Sequence, residues 1–296
     1  MGMVSSEQLT AKDIQKYKPE LLRHKEFNEL NEDLYESYMK SSLFNKIQYK
    51  AGARIIFYED MPIMIIWSET RNYNVKVRTI IPLEAMDKVP QKGSSEIMEI
   101  FRNSLPLHLD VQQFEYQVVR NEQNDEILSR MGFLMRRGVL LMSLQTEDTR
   151  LPEHLIQTRK FHIEDIKARV DIQNIIFDNK YRVPINSADV LIEVSKKSYI
   201  PDLSFFYMKN ESPIGYGQIN THDNRFYLVN FGLIPEYRGK GLSRDFLLTI
   251  IGKAKERAID RIFLEVNADN TSAVNLYRSI GFKEEQNTCT WLYYNR

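Results

Sequence analysis

Leu233-Ile-Pro-Glu-Tyr-Arg-Gly-Lys-Gly-Leu-Ser243 is the stretch that decides how this chain folds. An apolar, β-rich run from Phe226 to Leu233 leads into Pro235, and Arg238, Gly239, Lys240 and Gly241 fill the turn that follows. Beyond the turn, Leu242, Phe246, Leu247, Ile250, Ile251 and Ala254 fall on one stripe of a helix. Strand, glycine turn and helix in that order make a backbone cradle for phosphates. Glycines take positive φ with no Cβ in the way. The helix N-terminus adds unpaired N–H donors and a partial positive charge.

A second pattern lies about 30 residues downstream. Ile262 to Val266 reads as a buried strand, apolar on both parities. Asp269 to Ser272 carry N-cap chemistry, Ala273, Tyr277 and Ile280 form a short helical stripe, and Gly281 stands where a helix stops.

The first pattern resembles the acetyl-coenzyme A loop of the GNAT N-acetyltransferases, with Arg238, Gly241 and Ser243 at its signature positions. Ser243 replaces the family's usual Gly or Ala. The second resembles the same family's strand-Asn-Ala-Leu-Tyr-Gly-Phe signature, in Asn270, Ala273, Leu276-Tyr277 and Gly281-Phe282. Two patterns in the right order carry far more weight than either alone.

The resemblance implies a mixed α/β (α+β) fold: a mostly antiparallel twisted sheet flanked by helices, with one splayed central pair of strands. The arm of acetyl-coenzyme A would lie in that V. Main-chain groups of Phe231, Gly232 and Leu233 would pair with its amides, one N–H polarising the thioester carbonyl. Arg238, Gly239, Lys240, Gly241, Leu242 and Ser243 would hold its phosphates. Asn270 would touch the arm or simply cap its helix. Tyr277 would protonate the departing thiolate, the alternative being a core aromatic. The spacing of Glu265 to Asn270 and Tyr277 resembles the ribosomal-protein N-terminal acetyltransferases, where the matching glutamate is the general base. A strand glutamate that only hydrogen-bonds in the cleft is the other reading.

The first half repeats the second in outline. At a constant offset of 149, Asn121 matches Asn270, Gly132 matches Gly281, Phe133 matches Phe282, and Phe57-Tyr58 match Phe206-Tyr207. The pattern predicts two tandem copies of one domain, 1–148 and 149–296, joined by a polar linker from Glu147 to Pro152. The first copy has lost its chemistry: Leu128 stands for Tyr277, Tyr116 for Glu265, and the turn Leu83 to Gly93 offers one glycine. It is expected to be non-catalytic. A helix is predicted over Lys25 to Lys40, and strands over Tyr73 to Ile81 and Thr288 to Tyr293.

Composition narrows the function classes. The 296 residues suffice for two domains of ordinary size, and 43% apolar with 27% charged residues is a globular balance. Forty basic and 40 acidic residues leave no polyanion-binding footprint, so no nucleic-acid partner is expected. No apolar run matches a membrane span of ~18 residues. Met1 to Ser6 formally fits N-myristoylation, but an added start codon before a native Met3 is the better reading. The single cysteine, Cys289, fits a reducing cytoplasm and reads as a core residue. His24, His108, His154, His162 and His222 show no ligand spacing, so no metal is expected.

The expected activity is acetyl-coenzyme A-dependent N-acetylation of a primary amine of a small molecule, by direct attack in a ternary complex; the acceptor partner is expected to be a small-molecule or peptide amine. Protein N-terminal acetylation and a non-catalytic acyl-coenzyme A sensor or scaffold are the alternatives. Acceptor specificity is expected from the Phe177 to Pro184 region and the end strands, which carry no decodable motif.

Overall fold

The computed structural model describes residues 2–71, 74–106, 113–151, 156–178 and 183–294. Tyr73, His108, Pro152, His154 and residues 179–182 of the expected acceptor region lie outside the described residues. The chain forms two compact units, Met1–Val139 with Asn287–Arg296, and Leu140–Gln286.

The first unit runs β1 (Val4–Gln8), α1 (Ala11–Lys16), α2 (Lys18–Leu22), α3 (Leu34–Lys40), α4 (Leu43–Gly52), β2 (Ala53–Tyr58), β3 (Met61–Arg71), β4 (Asn74–Pro82), α5 (Gln91–Ser104), β5 (Gln113–Val119), α6 (Glu122–Arg130) and the start of β6 (Leu134–Gln145). The second comprises the rest of β6, then β7 (Thr158–Lys160), α7 (Ile166–Ile176), α8 (Ser187–Val194), β8 (Tyr199–Lys209), β9 (Ser212–His222), β10 (Arg225–Leu233), α9 (Leu242–Lys255), β11 (Arg261–Asn267), α10 (Thr271–Ile280) and the start of β12 (Lys283–Tyr294).

Strand order is β1-β2-β3-β4-β5-β12 in the first unit and β6-β11-β10-β9-β8-β7 in the second. Each unit contains a parallel pair among antiparallel ones. β4 and β5 pair only from Asn74–Gln113 to Lys76–Glu115, and β10 and β11 only at Phe226–Ile262 and Tyr227–Phe263. Beyond those points the strands part, which is the expected splay.

The repeat is visible residue by residue. The β2–β3 hairpin turns on Glu59 and Asp60 and the β8–β9 hairpin on Asn210 and Glu211, both pairs at positive φ. Such primed turns match the twist of the strands they join. Asn121 caps α6 as Asn270 caps α10, and Gly132 (φ 85°) and Gly281 (φ 114°) close those segments in the left-handed region.

Two expectations need correction. The division at residue 148 is displaced, because the units exchange their last strands. Leu140, Met142 and Leu144 of β6 are buried in the second unit's core with Phe246, Leu247 and Leu264. Thr288 to Tyr294 of β12 pair with β5, and Cys289 and Trp291 are buried in the first unit's core. An alternating apolar pattern predicts a strand but not its neighbours.

The helix expected over Lys25 to Lys40 is confined to Leu34–Lys40. The segment before it is held open by two buried asparagines. Asn28 donates to the carbonyl of Gln117 (2.8 Å) and accepts from the N–H of Val119 (3.0 Å). Asn31 donates to the carbonyl of Ile80 (2.9 Å) and accepts from its N–H (3.3 Å). Asparagine side chains bonded this way give the backbone a competitor to helix.

Candidate active site

In the second unit the parting of β10 and β11 opens a cleft of about 650 Å³, lined among others by Phe177, Asn220, Asn230, Phe231, Glu265, Asn270 and Tyr277. It therefore brings together both predicted catalytic residues and the predicted arm-binding residues Phe231 and Asn270. The pairing of β10 with β9 slips between Val229 and Gly232, with Asn230 at φ 53°. This β-bulge takes main-chain groups at Asn230 and Phe231 out of the ladder with β9. The sequence reading missed it, although asparagine in a buried strand is a usable signal because it tolerates the left-handed region.

Tyr277 comes from the second turn of α10 and is 9% exposed. Its ring packs against Phe231 (centroids 6.5 Å apart) and Phe282 (5.7 Å). Burial pushes its phenol up to about 12, so it holds its proton across any working pH. Glu265 is exposed on β11 and has no protein partner among the described residues. The Oδ1 of Asn270 accepts from the N–H of Ala273 (3.2 Å), so the capping role is realised while the residue also lines the cleft.

The phosphate loop departs from expectation at one residue. Arg238 does not extend a free guanidinium. Its Nε donates to the carbonyl of Leu233 (2.8 Å) and its Nη2 to that of Ile176 (2.6 Å). The arginine ties the end of β10 and the end of α7 to the loop, so it shapes the cradle from behind. Lys240 likewise donates to the Glu236 carbonyl at 2.8 Å. Gly232 is required for packing, since a Cβ there would collide with the side chain of Ile176. Leu233 is buried, its main chain paired with Gly215.

The glycines behave as cradle residues. Gly239 (φ 72°) and Gly241 (φ 79°) are in the left-handed region, and a Cβ on either would meet no protein atom within 4 Å. Among the described residues, none of the N–H groups from Gly239 to Ser243 finds a protein acceptor. Gly241 caps α9, whose Phe246, Leu247, Ile250, Ile251 and Ala254 are buried as the stripe predicted. Five unpaired donors at a helix start, with open space at the two glycines, fit a pyrophosphate.

Residues 174–282 match the model of the Acetyltransferase (GNAT) family. Over that segment of the second unit the chain matches the GNAT family. It is 39% identical over 57 residues to the [Ribosomal protein bS18]-alanine N-acetyltransferase of Escherichia coli K12, covering 19% of this chain and 38% of that enzyme. It is 25% identical over 175 residues to the mycothiol acetyltransferase of Saccharomonospora viridis, covering 53% and 56% respectively. The chain thus spans less than two thirds of these relatives. A GCN5-related N-acetyltransferase structure from Sphaerobacter thermophilus superposes with a TM-score of 0.58 at 14% identity, covering 99% of this chain and 95% of that one. The GNAT fold therefore extends beyond the matched segment.

The first unit arranges the corresponding V differently. Asn31 makes its two bonds to the main chain of Ile80 on β4, and Asn28 makes its bonds to β5. Tyr116, standing where Glu265 stands, is buried and donates to Asn31 (2.6 Å) while accepting from Asn28 (3.1 Å). Burial raises its phenol well above the ordinary tyrosine value. Leu128, standing where Tyr277 stands, is core. Gly93 is buried, and a Cβ on it would press on Tyr58 and Val89 at 3.0 Å. A neighbouring cavity of about 590 Å³ sets Glu20, Glu26, Glu84 and Asp87 against Arg23 alone. Such a lining repels phosphates.

Among the described residues no group of three or more His, Cys, Asp or Glu is placed to hold a metal. No described helix is long and apolar enough to cross a membrane.

Proposed function

We propose that the second unit is an acetyl-coenzyme A-dependent N-acetyltransferase acting on a primary amine by direct attack, and that the first unit is non-catalytic. The observation that carries this reading is the open V, with Tyr277 and Glu265 on one cleft and a phosphate cradle at the start of α9. The residues present fit acetyl-coenzyme A, which supplies the thioester. Gly239 to Ser243 hold its phosphates, and main chain at the Asn230 bulge and Phe231 faces its arm.

Glu265 takes the proton released when the amine nitrogen bonds the acyl carbon. Tyr277 gives its proton to the sulfur as the carbon–sulfur bond breaks, and recovers one from solvent. Holding both reactants side by side supplies much of the rate. A raised phenol suits this task in one respect and limits it in another. The proton is always present, but its transfer is favourable only against the charge that develops on sulfur.

Peptide N-termini are the second reading for the acceptor. It is favoured by the free Glu265 carboxylate on the cleft wall and by the likeness to the ribosomal-protein enzyme over 57 residues. Coenzyme A release measured over a panel of amines and short peptides tests both. In the same assay Glu265→Gln is expected to remove the acidic limb of the pH profile while acetyl-coenzyme A affinity stays unchanged. An unaltered profile would assign deprotonation to solvent.

A further inference from the structure

We propose that Asn220 and Asn230 form a paired reader on the acceptor wall, one presenting a hydrogen-bond donor and the other an acceptor. The amine acetylated here therefore carries a neighbouring amide, as the α-amine of an aminoacyl amide or peptide does. This rests on the transfer reading above and names its substrate class.

The reader is set from beneath the sheet. Arg169 of α7 is wholly buried, its guanidinium between the rings of Phe161 (5.1 Å) and Tyr216 (4.9 Å). Nη2 donates to Oε2 of Glu193 at 2.6 Å, while Nε and Nη1 have no partner among the described residues. A buried ion pair with two unmet donors is a poor way to stabilise a core, where apolar residues of similar volume serve as well or better. What it does achieve is to fix a carboxylate on α8, with a side chain 26% exposed, beside the cleft.

A carboxylate beside a guanidinium offers only acceptors. From that end, the direction of every amide is forced. Gln218, fully buried, must turn its Nε2 to Oε1 of Glu193. Its own Oε1 then accepts from the Tyr216 hydroxyl (2.6 Å), and its second Nε2 hydrogen goes to Oδ1 of Asn220 (3.2 Å). Asn230, on the bulge, turns its Nδ2 to the same Glu193 oxygen at 3.5 Å.

What remains is a matched pair. Asn220 keeps a free Nδ2 donor and Asn230 a free Oδ1 acceptor, neither with a further protein partner among the described residues. Both residues line the cleft with Glu265 and Tyr277. They stand on neighbouring strands, with Asn220 opposite Tyr227, three residues before Asn230. One donor and one acceptor on the same cleft wall complement the carbonyl and the N–H of an amide lying along it. An alkylamine would leave both half-buried groups unmet, the situation that gives polar sites their strong rejection of analogues.

The test compares kcat/KM by coenzyme A release for alaninamide and for 3-methylbutan-2-amine, which has the same shape without the amide. Rates are normalised to the neutral-amine fraction. A preference for alaninamide of roughly 10²-fold or more is expected. Trialanine in a third arm identifies the source of the amide: faster than alaninamide for a peptide acceptor, slower for a small one. Asn220→Ala and Glu193→Gln should each reduce the preference below about tenfold, chiefly through KM for alaninamide, with acetyl-coenzyme A affinity unmoved. Turnover of both wild-type substrates at similar rates would overturn the reader and leave the transferase reading standing. So would a preference that survives Asn220→Ala. Release from no amine at all would overturn both readings, and the wild-type arms need no variant to fold.

Discussion

The two units share a parallel strand pair that opens into a V, and they differ in what the V contains. In the second it is a cleft of about 650 Å³ lined by Glu265 and Tyr277. In the first, Asn28 and Asn31 bond the main chains of the parted strands, as the amides of a cofactor arm would. Splayed strands leave buried N–H and C=O groups that must be met by something. On the proposed reading one unit leaves them to a bound molecule; the other meets them with its own residues. On that reading, loss of chemistry in the first unit is therefore more than the absence of Tyr277 and Glu265 equivalents. It is a filled site.

The sharpest way to break this contrast is Tyr277→Phe. The ring packing against Phe231 and Phe282 survives, and only the proton is lost. Single-turnover rates should fall by ~10²–10⁴-fold with acetyl-coenzyme A affinity and melting temperature little changed. A full-rate variant would make Tyr277 as structural as Leu128. Gly241→Val comes next. A side chain at φ 79° is strained and enters the open cradle, so acetyl-coenzyme A affinity by calorimetry should drop on the order of 10²-fold, about 2.7 kcal/mol. Wild type should bind one equivalent per chain; two equal sites would show that the first V is not closed.

Asn31→Leu attacks the other side of the contrast. It strips partners from the Ile80 main chain, the His24 carbonyl and the Tyr116 hydroxyl. Chemical denaturation should show a loss of ~3 kcal/mol, with the binding stoichiometry still one. The smallest expected effect is a flat line. Because the Tyr277 phenol titrates near 12 in the folded protein and near ~10 unfolded, kcat/KM should show no alkaline limb from it below pH 10. From pH 10 to 12 the folded state retains a proton that the unfolded state has lost. Stability should therefore fall over that window as pH rises.

The sequence made the second unit's cleft legible because its signals are local. Gly239, Gly241, Asn270 and Tyr277 each sit within a few residues of the strand or helix that positions them. Where bonds cross long separations, local pattern was silent. Arg238 looked like a phosphate ligand until its partners, Leu233 and Ile176, were known. Asn28 and Asn31 looked helical because Gln117 and Ile80, which hold them otherwise, lie about 50 to 90 residues away. The Arg169–Glu193–Gln218 chain left no mark in spacing at all.

The exchanged last strands carry a consequence for how the protein is made. The first unit includes residues 287–296, and its core contains Cys289 and Trp291. Chains leave the ribosome N-terminus first and domains ordinarily close as they emerge. Here the half synthesised first waits for residues 287–296 before its sheet is whole. The second unit, needing only Leu140 to Gln286, is complete before those residues have been made.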